Sequence, residues 1–213
     1  MGRRALKKLD PKIDLSGHFR TVEELPAPWN PAELFAKEQP LEVEMGSGKG
    51  LFLQTASGVC PEHNFLGVEV RQKYALHAAA RLARGSRTNG MAVYGDGLRM
   101  FRECIPSASL AAVHVYFPDP WWKTRHRKRR ILNEAFLNDI VRTLLPDGRL
   151  HFWTDVQRYF DATLELIAEK IALEGPVDVN EKPAEHDLDY RTHFERRTRL
   201  NDEPVYRAEF VKR

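Results

Sequence analysis

From Pro40 onward, short apolar runs alternate with longer stretches of helical spacing, and turn residues separate them. Leu41–Met45 reads as a strand that runs into the glycine-rich turn Gly46-Ser47-Gly48-Lys49-Gly50, and a helix is expected over Leu51–Ser57. Asn64–Val70 is a second strand, Gln72–Arg84 an alanine-rich helix, and Met91–Tyr94 a short third strand before Gly95-Asp96-Gly97. Leu110–Phe117 is apolar apart from His114, which fits a central parallel strand buried on both faces. Leu132–Leu145 is amphipathic and is expected to end as a helix at Pro146-Asp147-Gly148. Arg149–Thr154 then reads as a fifth strand, Tyr159–Leu173 as a helix, and Val205–Val211 as a late strand after a polar loop over 180–203. This alternation predicts a mostly parallel α/β sheet covered by helices.

Upstream, residues 1–25 read as a flexible basic arm and 26–213 as a single domain, in which Asn30-Pro31 caps and begins a short helix. A chain of 213 residues can bury a sizeable core, and 42% hydrophobic with 30% charged content is ordinary for a globular protein. No apolar run approaches the roughly 20 residues of a membrane span. The basic start lacks the apolar stretch of a signal peptide. A cytoplasmic protein with no membrane partner is therefore expected. Cys60 and Cys104 cannot build a disulfide framework, which agrees with a reducing compartment.

The net charge of +3 says little about a partner, but its distribution says more. Arg3, Arg4, Lys7, Lys8 and Lys12 crowd the start of the chain. Lys123, Arg125, Arg127, Lys128, Arg129 and Arg130 form a second cluster, and Arg191, Arg196, Arg197 and Arg199 a third. Clustered cations beside aromatic residues are a nucleic-acid footprint, although any single run is equally explained by a solvated loop.

The glycine turn is followed by a helix, an arrangement that brings backbone close to a ligand. Lys49 is followed by Gly50 rather than Ser or Thr, so the turn is not a phosphate-binding P-loop, and its G-x-G-x-G spacing is not the dinucleotide fingerprint. A tight strand-to-helix connection would explain the turn alone. Four carboxylates change the balance: Glu44 precedes the turn, and Glu69, Asp96 and Asp119 end or follow the next strands. Strand ends of an open α/β sheet line one crevice. Four acids there would repel a pyrophosphate but suit S-adenosylmethionine, which carries a sulfonium, an ammonium and a ribose diol. Each acid taken singly is also explained as a cap or turn residue.

After the fourth strand comes Phe117-Pro118-Asp119-Pro120-Trp121-Trp122, followed at once by the second basic cluster. The prolines restrict the backbone around Asp119. Flat rings beside a cationic strip suit a splayed-out base and its phosphates, the alternative being a rigid loop whose tryptophans close the core.

The blocks EMGSGKG (44–50), FLGVEV (65–70), YGDG (94–97), FPDPWWKTRHRKRR (117–130), WTD (153–155) and THFE (192–195) closely resemble the bacterial tRNA (guanine-N7-)-methyltransferase family (TrmB). They run in the family's order from about residue 40 to 210, and the FPDPW block with its basic run is the specific one. The resemblance implies a Rossmann-like class I S-adenosylmethionine-dependent methyltransferase with a mostly parallel seven-stranded sheet and an antiparallel late strand. It implies methyl transfer to N7 of a guanine in tRNA, in the variable loop, by a monomer or homodimer. By the same resemblance, Glu44, Gly46, Gly48, Glu69, Asp96 and Asp119 bind the cofactor, and Asp119 stands at the active-site acid. Lys123, Asp155, Thr192, His193, Phe194 and Glu195 match target-nucleotide positions, and Arg125, His126, Arg127, Lys128, Arg129 and Arg130 match the RNA-contacting segment. The tail RRTRLNDEPVYRAEF lacks the glycine common in the family, and Asn201-Asp202 can supply that turn.

Guanine N7 carries no proton, so Asp119 need not be a base; orienting the reactants is the alternative. Asp155 and Glu195 are both able to read the guanine Watson–Crick edge. Thr192 can instead be a helix cap. No metal is expected, because Cys60 and His63 have no second pair of ligands. Rival readings are a methyltransferase acting on another base or a small molecule, and a non-catalytic RNA-binding protein that keeps the cofactor fold.

Overall fold

The computed structural model describes residues 6, 8–121, 123–179 and 183–213; Arg3, Arg4, Lys7 and Trp122, singled out above, lie outside the described residues. Among them eight strands form one sheet: β1 (Phe19–Thr21), β2 (Leu41–Met45), β3 (Asn64–Glu69), β4 (Gly90–Tyr94), β5 (Leu110–Tyr116), β6 (Leu144–Thr154), β7 (Glu174–Val177) and β8 (Tyr206–Val211). Their order is β1-β4-β3-β2-β5-β6-β8-β7, and β8 alone runs antiparallel to its neighbours β6 and β7. The helices are α1 (Leu51–Val59), α2 (Gln72–Arg84), the short α3 (Gly97–Arg99), α4 (Glu134–Thr143), α5 (Gln157–Lys170) and α6 (His193–Leu200). No helix among the described residues is long and apolar enough to cross a membrane.

The chain winds outward from β2 in two directions, through β3 and β4 on one side and β5 and β6 on the other. The carboxyl ends of β2 and β5 therefore flank the point where the order reverses, and a crevice opens there in this architecture. Side-chain alternation divides the two faces. Val43, Met45, Val113 and Val115 enter the larger core, whereas Phe52, Phe65, Ala78, Tyr116 and Trp153 form the core under α1 and α2.

His114 breaks the apolar run of β5 because it belongs to a buried polar network on that second face. Glu42 accepts from His63 and His114 at 2.6 Å each, and the other ring nitrogen of His114 meets the Tyr116 hydroxyl at 2.9 Å. The ring of His114 also stacks on His151, 4.5 Å between centroids. Burial favours a neutral His114, and neighbouring His151 reinforces this, so its pKa falls to about 4 despite Glu42. Burial opposes ionisation of Glu42, but its two histidine partners outweigh that and hold it at about 2. With Nε2–H donated to the Glu42 carboxylate, Nδ1 accepts from Tyr116 and fixes that phenol in place.

Four differences from the sequence expectations have local causes. Residues 19–25, expected within the basic arm, add strand β1 to the sheet edge beside β4 and bury Val22 and Leu25; three residues are too few to show a period. Helix α4 stops at Thr143, and Leu144 already pairs with Leu110, so Pro146-Asp147-Gly148 is a bulge within β6 rather than the turn before it. The resulting sheet has eight strands where the resemblance implied seven. Within the expected loop over 180–203 lies α6, whose buried residues are Glu195 and Thr198. A helix that packs through polar side chains leaves no hydrophobic periodicity to read. Strand β7 was unread for a related reason: it is exposed throughout and contains Pro176, as edge strands allow.

Candidate active site

Two clefts meet at the carboxyl ends of β2 and β5. The first, about 430 Å³, is lined by Gly46, Gly48, Glu69, Asp96 and Asp119 together with Val70, Arg71, Leu98 and Trp121. The second, about 310 Å³, is lined by Glu44, Ser47, Lys49, Thr192, His193, Phe194 and Arg197. Gly46, Gly48, Tyr74, Tyr116 and Phe117 line both, so the clefts are arms of one space folded around the glycine turn.

The turn needs glycine at three positions: Gly50, at φ +70°, has Ala78 Cβ only 2.6 Å from where a Cβ of its own would stand, and the other two face the clefts. Gly46 and Gly48 have φ of +81° and +53°, and a Cβ on either would project into open space, so bare backbone faces the clefts. Glu69 clamps the turn: Oε2 accepts from Gly48 N and Oε1 from Arg71 N, both at 2.9 Å. Asp96 caps α3, its Oδ1 accepting from Leu98 N and Arg99 N at 2.9 and 3.3 Å.

Glu44 is buried, and its Oε2 has no hydrogen-bond partner. Burial pushes its carboxyl up to about 8, nearby Glu69 adds to the rise, and Arg191 opposes it. A buried acceptor without a donor is costly, and a cationic ligand group would relieve it. That unpaired oxygen, the exposed turn backbone and the acid-lined walls fit S-adenosylmethionine, a cation with no phosphate.

Asp119 is exposed where the first cleft adjoins a third, about 350 Å³, lined by Asp119, Pro120, Trp121, Lys123 and His126. Phe117 and Trp121, at φ +48° and +45°, bracket it with left-handed backbone that bulky residues rarely adopt. The prolines alone therefore do not set the bend. Trp121 packs edge-on to His126, with centroids 5.9 Å apart, and the Arg129 guanidinium lies 5.2 Å from its ring.

The basic segment splits into two kinds of residue. Lys123 and Arg125 are exposed, and Arg129 projects beside Trp121. Arg130 instead turns inward, donating to the Pro120 carbonyl at 2.9 Å and lying 4.4 Å from the Tyr159 ring centroid. Arg127 and Lys128 lie in the 3-10 helix Thr124–Arg129, and their side chains are outside those described.

The block at 192–195 divides likewise. Thr192 caps α6, accepting from Glu195 N at 3.0 Å, and its neighbours His193 and Phe194 line the second cleft. Glu195 points into the protein, accepting from Arg191 N at 2.6 Å and pairing with Arg199 and Arg207 at 3.4 Å each. Asp155 is half-buried after β6 and lines none of the three clefts. Tyr74, Tyr116 and Phe117 were not singled out from sequence as site residues. Their aromatic character was visible, but their convergence on the turn, Tyr116 and Phe117 from the end of β5 and Tyr74 from the start of α2, depends on the packed sheet.

A family model described as "Putative methyltransferase" matches residues 38–208. The chain is 51% identical to a tRNA (guanine-N(7)-)-methyltransferase of Rhodopirellula baltica, covering all of this chain and 81% of that protein. It is 29% identical to the protein of that name from Listeria monocytogenes, over 90% of this chain and 88% of the relative. Among solved structures, the antibiotic-resistance methyltransferase Kmr superposes with TM-score 0.56 at 16% identity, covering 86% of this chain and 92% of that one, a likeness of fold.

Proposed function

We propose, from the premise that this chain belongs to the tRNA (guanine-N7-)-methyltransferase family, that it transfers a methyl group from S-adenosylmethionine to N7 of a guanine in tRNA. The observation that carries the reading is Asp119, held by strained backbone at the edge shared by an acid-lined cofactor cleft and an aromatic, cationic cleft. S-Adenosylmethionine supplies an electrophilic methyl on a sulfonium. Glu69 holds the glycine turn and faces the ribose hydroxyls, while Asp96, at the far wall, meets the adenosine end. Gly46 and Gly48 let the backbone approach. Guanine N7 offers a lone pair without a proton, so Asp119 acts by orientation: it accepts from the guanine N1–H or amino group and offsets charge growing on the base. Trp121, with His126 and Lys123, receives the unstacked guanine and its phosphate. Arg125, Arg127, Lys128 and Arg129 grip the backbone, and the basic residues ahead of β1 extend that grip as an arm. Asp155 reads the base edge once RNA is bound. Variable-loop targeting, a cytoplasmic setting, action as a monomer or homodimer and no resident metal belong to the same reading.

The test incubates the protein with radiolabelled S-adenosylmethionine and unmodified tRNA and identifies the labelled nucleoside. Label in 7-methylguanosine is expected. Label in another base or in no RNA would overturn the reading.

A further inference from the structure

Helix α2 presents a positive surface that the site described above does not use. Between Glu69 and Asp96 the chain has no acidic residue, yet it carries Arg71, Lys73, Arg81, Arg84 and Arg87. Arg81 is committed within the protein, donating to the Lys49 carbonyl at 3.1 Å and to Gln54 Oε1 at 2.7 Å. Arg71, Lys73 and Arg84 are exposed, and among the described residues none has a carboxylate within ion-pair distance. Surface cations elsewhere do pair: Arg99 with Glu103 at 2.8 Å, Lys170 with Glu134 at 3.0 Å and Arg142 with Asp139 at 3.6 Å. Helix stability does not account for the difference. A helix C-terminus favours cations, which explains Arg84 in the last turn, but an N-terminus favours acids. Helix α2 begins instead with Arg71 as its cap and Lys73 close behind, and its first turn holds no acid. At its far end burial, and then neighbouring Arg84, lowers the pKa of Arg81, so positive charges already crowd one another there.

We infer that Arg71, Lys73 and Arg84 form a second docking surface for RNA phosphates, across the first cleft from the basic segment at 123–130. The inference rests on the tRNA reading above and deepens it. Lys73 and Arg84 are three helical turns apart on one stripe, about 16 Å along the axis. They line none of the three clefts, so the matching anion is extended rather than a small molecule. Arg71 carries the stripe to the lip of the first cleft, where its guanidinium lies 5.8 Å from the Tyr74 ring centroid. Arg129 lines that cleft too, and the two arrive from opposite sides of β2, Arg71 after β3 and Arg129 after β5. A guanine within a folded RNA has backbone leaving it in both directions, so an RNA seated at Asp119 brings phosphates to both banks. Charge complementarity then supplies what α2 lacks: the anions that its first turn and its unpaired cations call for. In the sequence these cations are spread among alanines and form no run, which hides the surface from a reading by clusters.

The test measures binding of unmodified tRNA across a series of salt concentrations for the full chain and two double variants. Lys73→Gln/Arg84→Gln removes the charges, and Lys73→Arg/Arg84→Lys keeps them; Arg71 stays, because it lines the cofactor cleft. The glutamine variant is expected to bind tRNA at least about fivefold more weakly near 0.1 M salt and to lower the salt slope by about 1.4 to 1.8, the loss of two phosphate contacts. Its affinity for S-adenosylhomocysteine and its melting temperature should match the parent's, and the charge-keeping variant should keep the parent's slope. Equal loss in both double variants marks damage to the helix rather than lost charge and overturns the surface. A glutamine variant that binds tRNA with the parent's affinity and slope overturns it as well, leaving the stripe to an acidic protein. In either case a parent that still methylates tRNA leaves the tRNA reading standing. A parent that neither binds nor methylates tRNA sinks that reading and the surface with it.

Discussion

The backbone N–H of Gly48 donates to Oε2 of Glu69 across 2.9 Å, tying the glycine turn after β2 to the end of β3. Two features that are 21 residues apart in sequence are thus one structural unit. The acid shapes the turn, in addition to the ribose contact proposed for it.

Glu69→Ala should therefore damage binding and stability together. It strands the N–H groups of Gly48 and Arg71, and each hydrogen bond to a charged acceptor is worth about 1.5–3 kcal/mol. Glu69→Gln keeps an acceptor for Gly48. Calorimetry with S-adenosylhomocysteine and thermal melting should show Ala losing both properties and Gln losing mainly affinity. Equal melting temperatures for the two variants would contradict the clamp.

Glu44 should make the ligand-free protein less stable as pH rises. Its folded pKa of about 8 lies above the ordinary 4.5, so the native state holds a proton that the unfolded chain has released. Stability then declines from pH 4.5 to 8 with a slope of at most about 1.4 kcal/mol per unit. Glu44→Gln removes that decline, and near pH 8 it should be more stable than the parent while binding cofactor poorly. Urea titrations at pH 5, 6.5 and 8 give the comparison, and parallel pH profiles for both proteins would argue against it.

His114 acts with the opposite sign. Its folded pKa of about 4 lies below the ordinary 6.5, so the unfolded chain takes up a proton first and stability is lost as pH falls from 6.5 toward 4. Glu42, held at about 2, adds a further loss below its ordinary 4.5. Between pH 4.5 and 6.5 the Glu44 and His114 effects oppose one another. In a Glu44→Gln background the acid-side loss should stand alone, and adding His114→Asn should flatten it between pH 5 and 6.5. A slope that survives the histidine replacement would assign it elsewhere.

Asp119→Asn should lower turnover about 100-fold or more, as removal of one aligned charge-stabilising group does elsewhere, while S-adenosylhomocysteine affinity changes far less. Single-turnover methylation and calorimetry on the same preparation check this. Near-normal turnover with normal cofactor affinity would remove Asp119 from the chemistry.

Arg130 and Arg125, five residues apart, should behave differently. Arg130→Ala loses the bond to Pro120 and the contact with Tyr159, so the melting temperature should fall by several degrees, about 1–2 kcal/mol in a chain of this size. Arg125→Ala should leave melting unchanged, raise the Michaelis constant for tRNA and reduce the salt slope by about one. A salt slope insensitive to Arg125 would take this residue off the RNA path.

Much of the fold was legible because strongly patterned segments declare themselves. Leu41–Met45 and Gln72–Arg84 occupy the bounds that their apolar spacing indicated. Elements hidden from such reading lack the pattern for stated reasons: β1 is too short, β7 is an exposed edge, and α6 buries Glu195 and Thr198 instead of apolar side chains. The candidate site was legible as a set of residue types. What each does locally was not, since Arg125 and Arg130 look alike in a basic run yet face opposite ways.

By itself the sequence determined the strand–helix alternation, the glycine turn with its four acids, and the FPDPW block with its cationic run, because these depend on local spacing and local chemistry. Only the tertiary structure decided which polar groups are buried and with whom. It joins Glu42 to His114, leaves Glu44 Oε2 unpaired, closes Glu195 between two arginines, and brings the start of α6 to the glycine turn. Desolvation and pairing are properties of the packed sheet, where residues far apart in sequence share one low-dielectric space, and no local pattern encodes them.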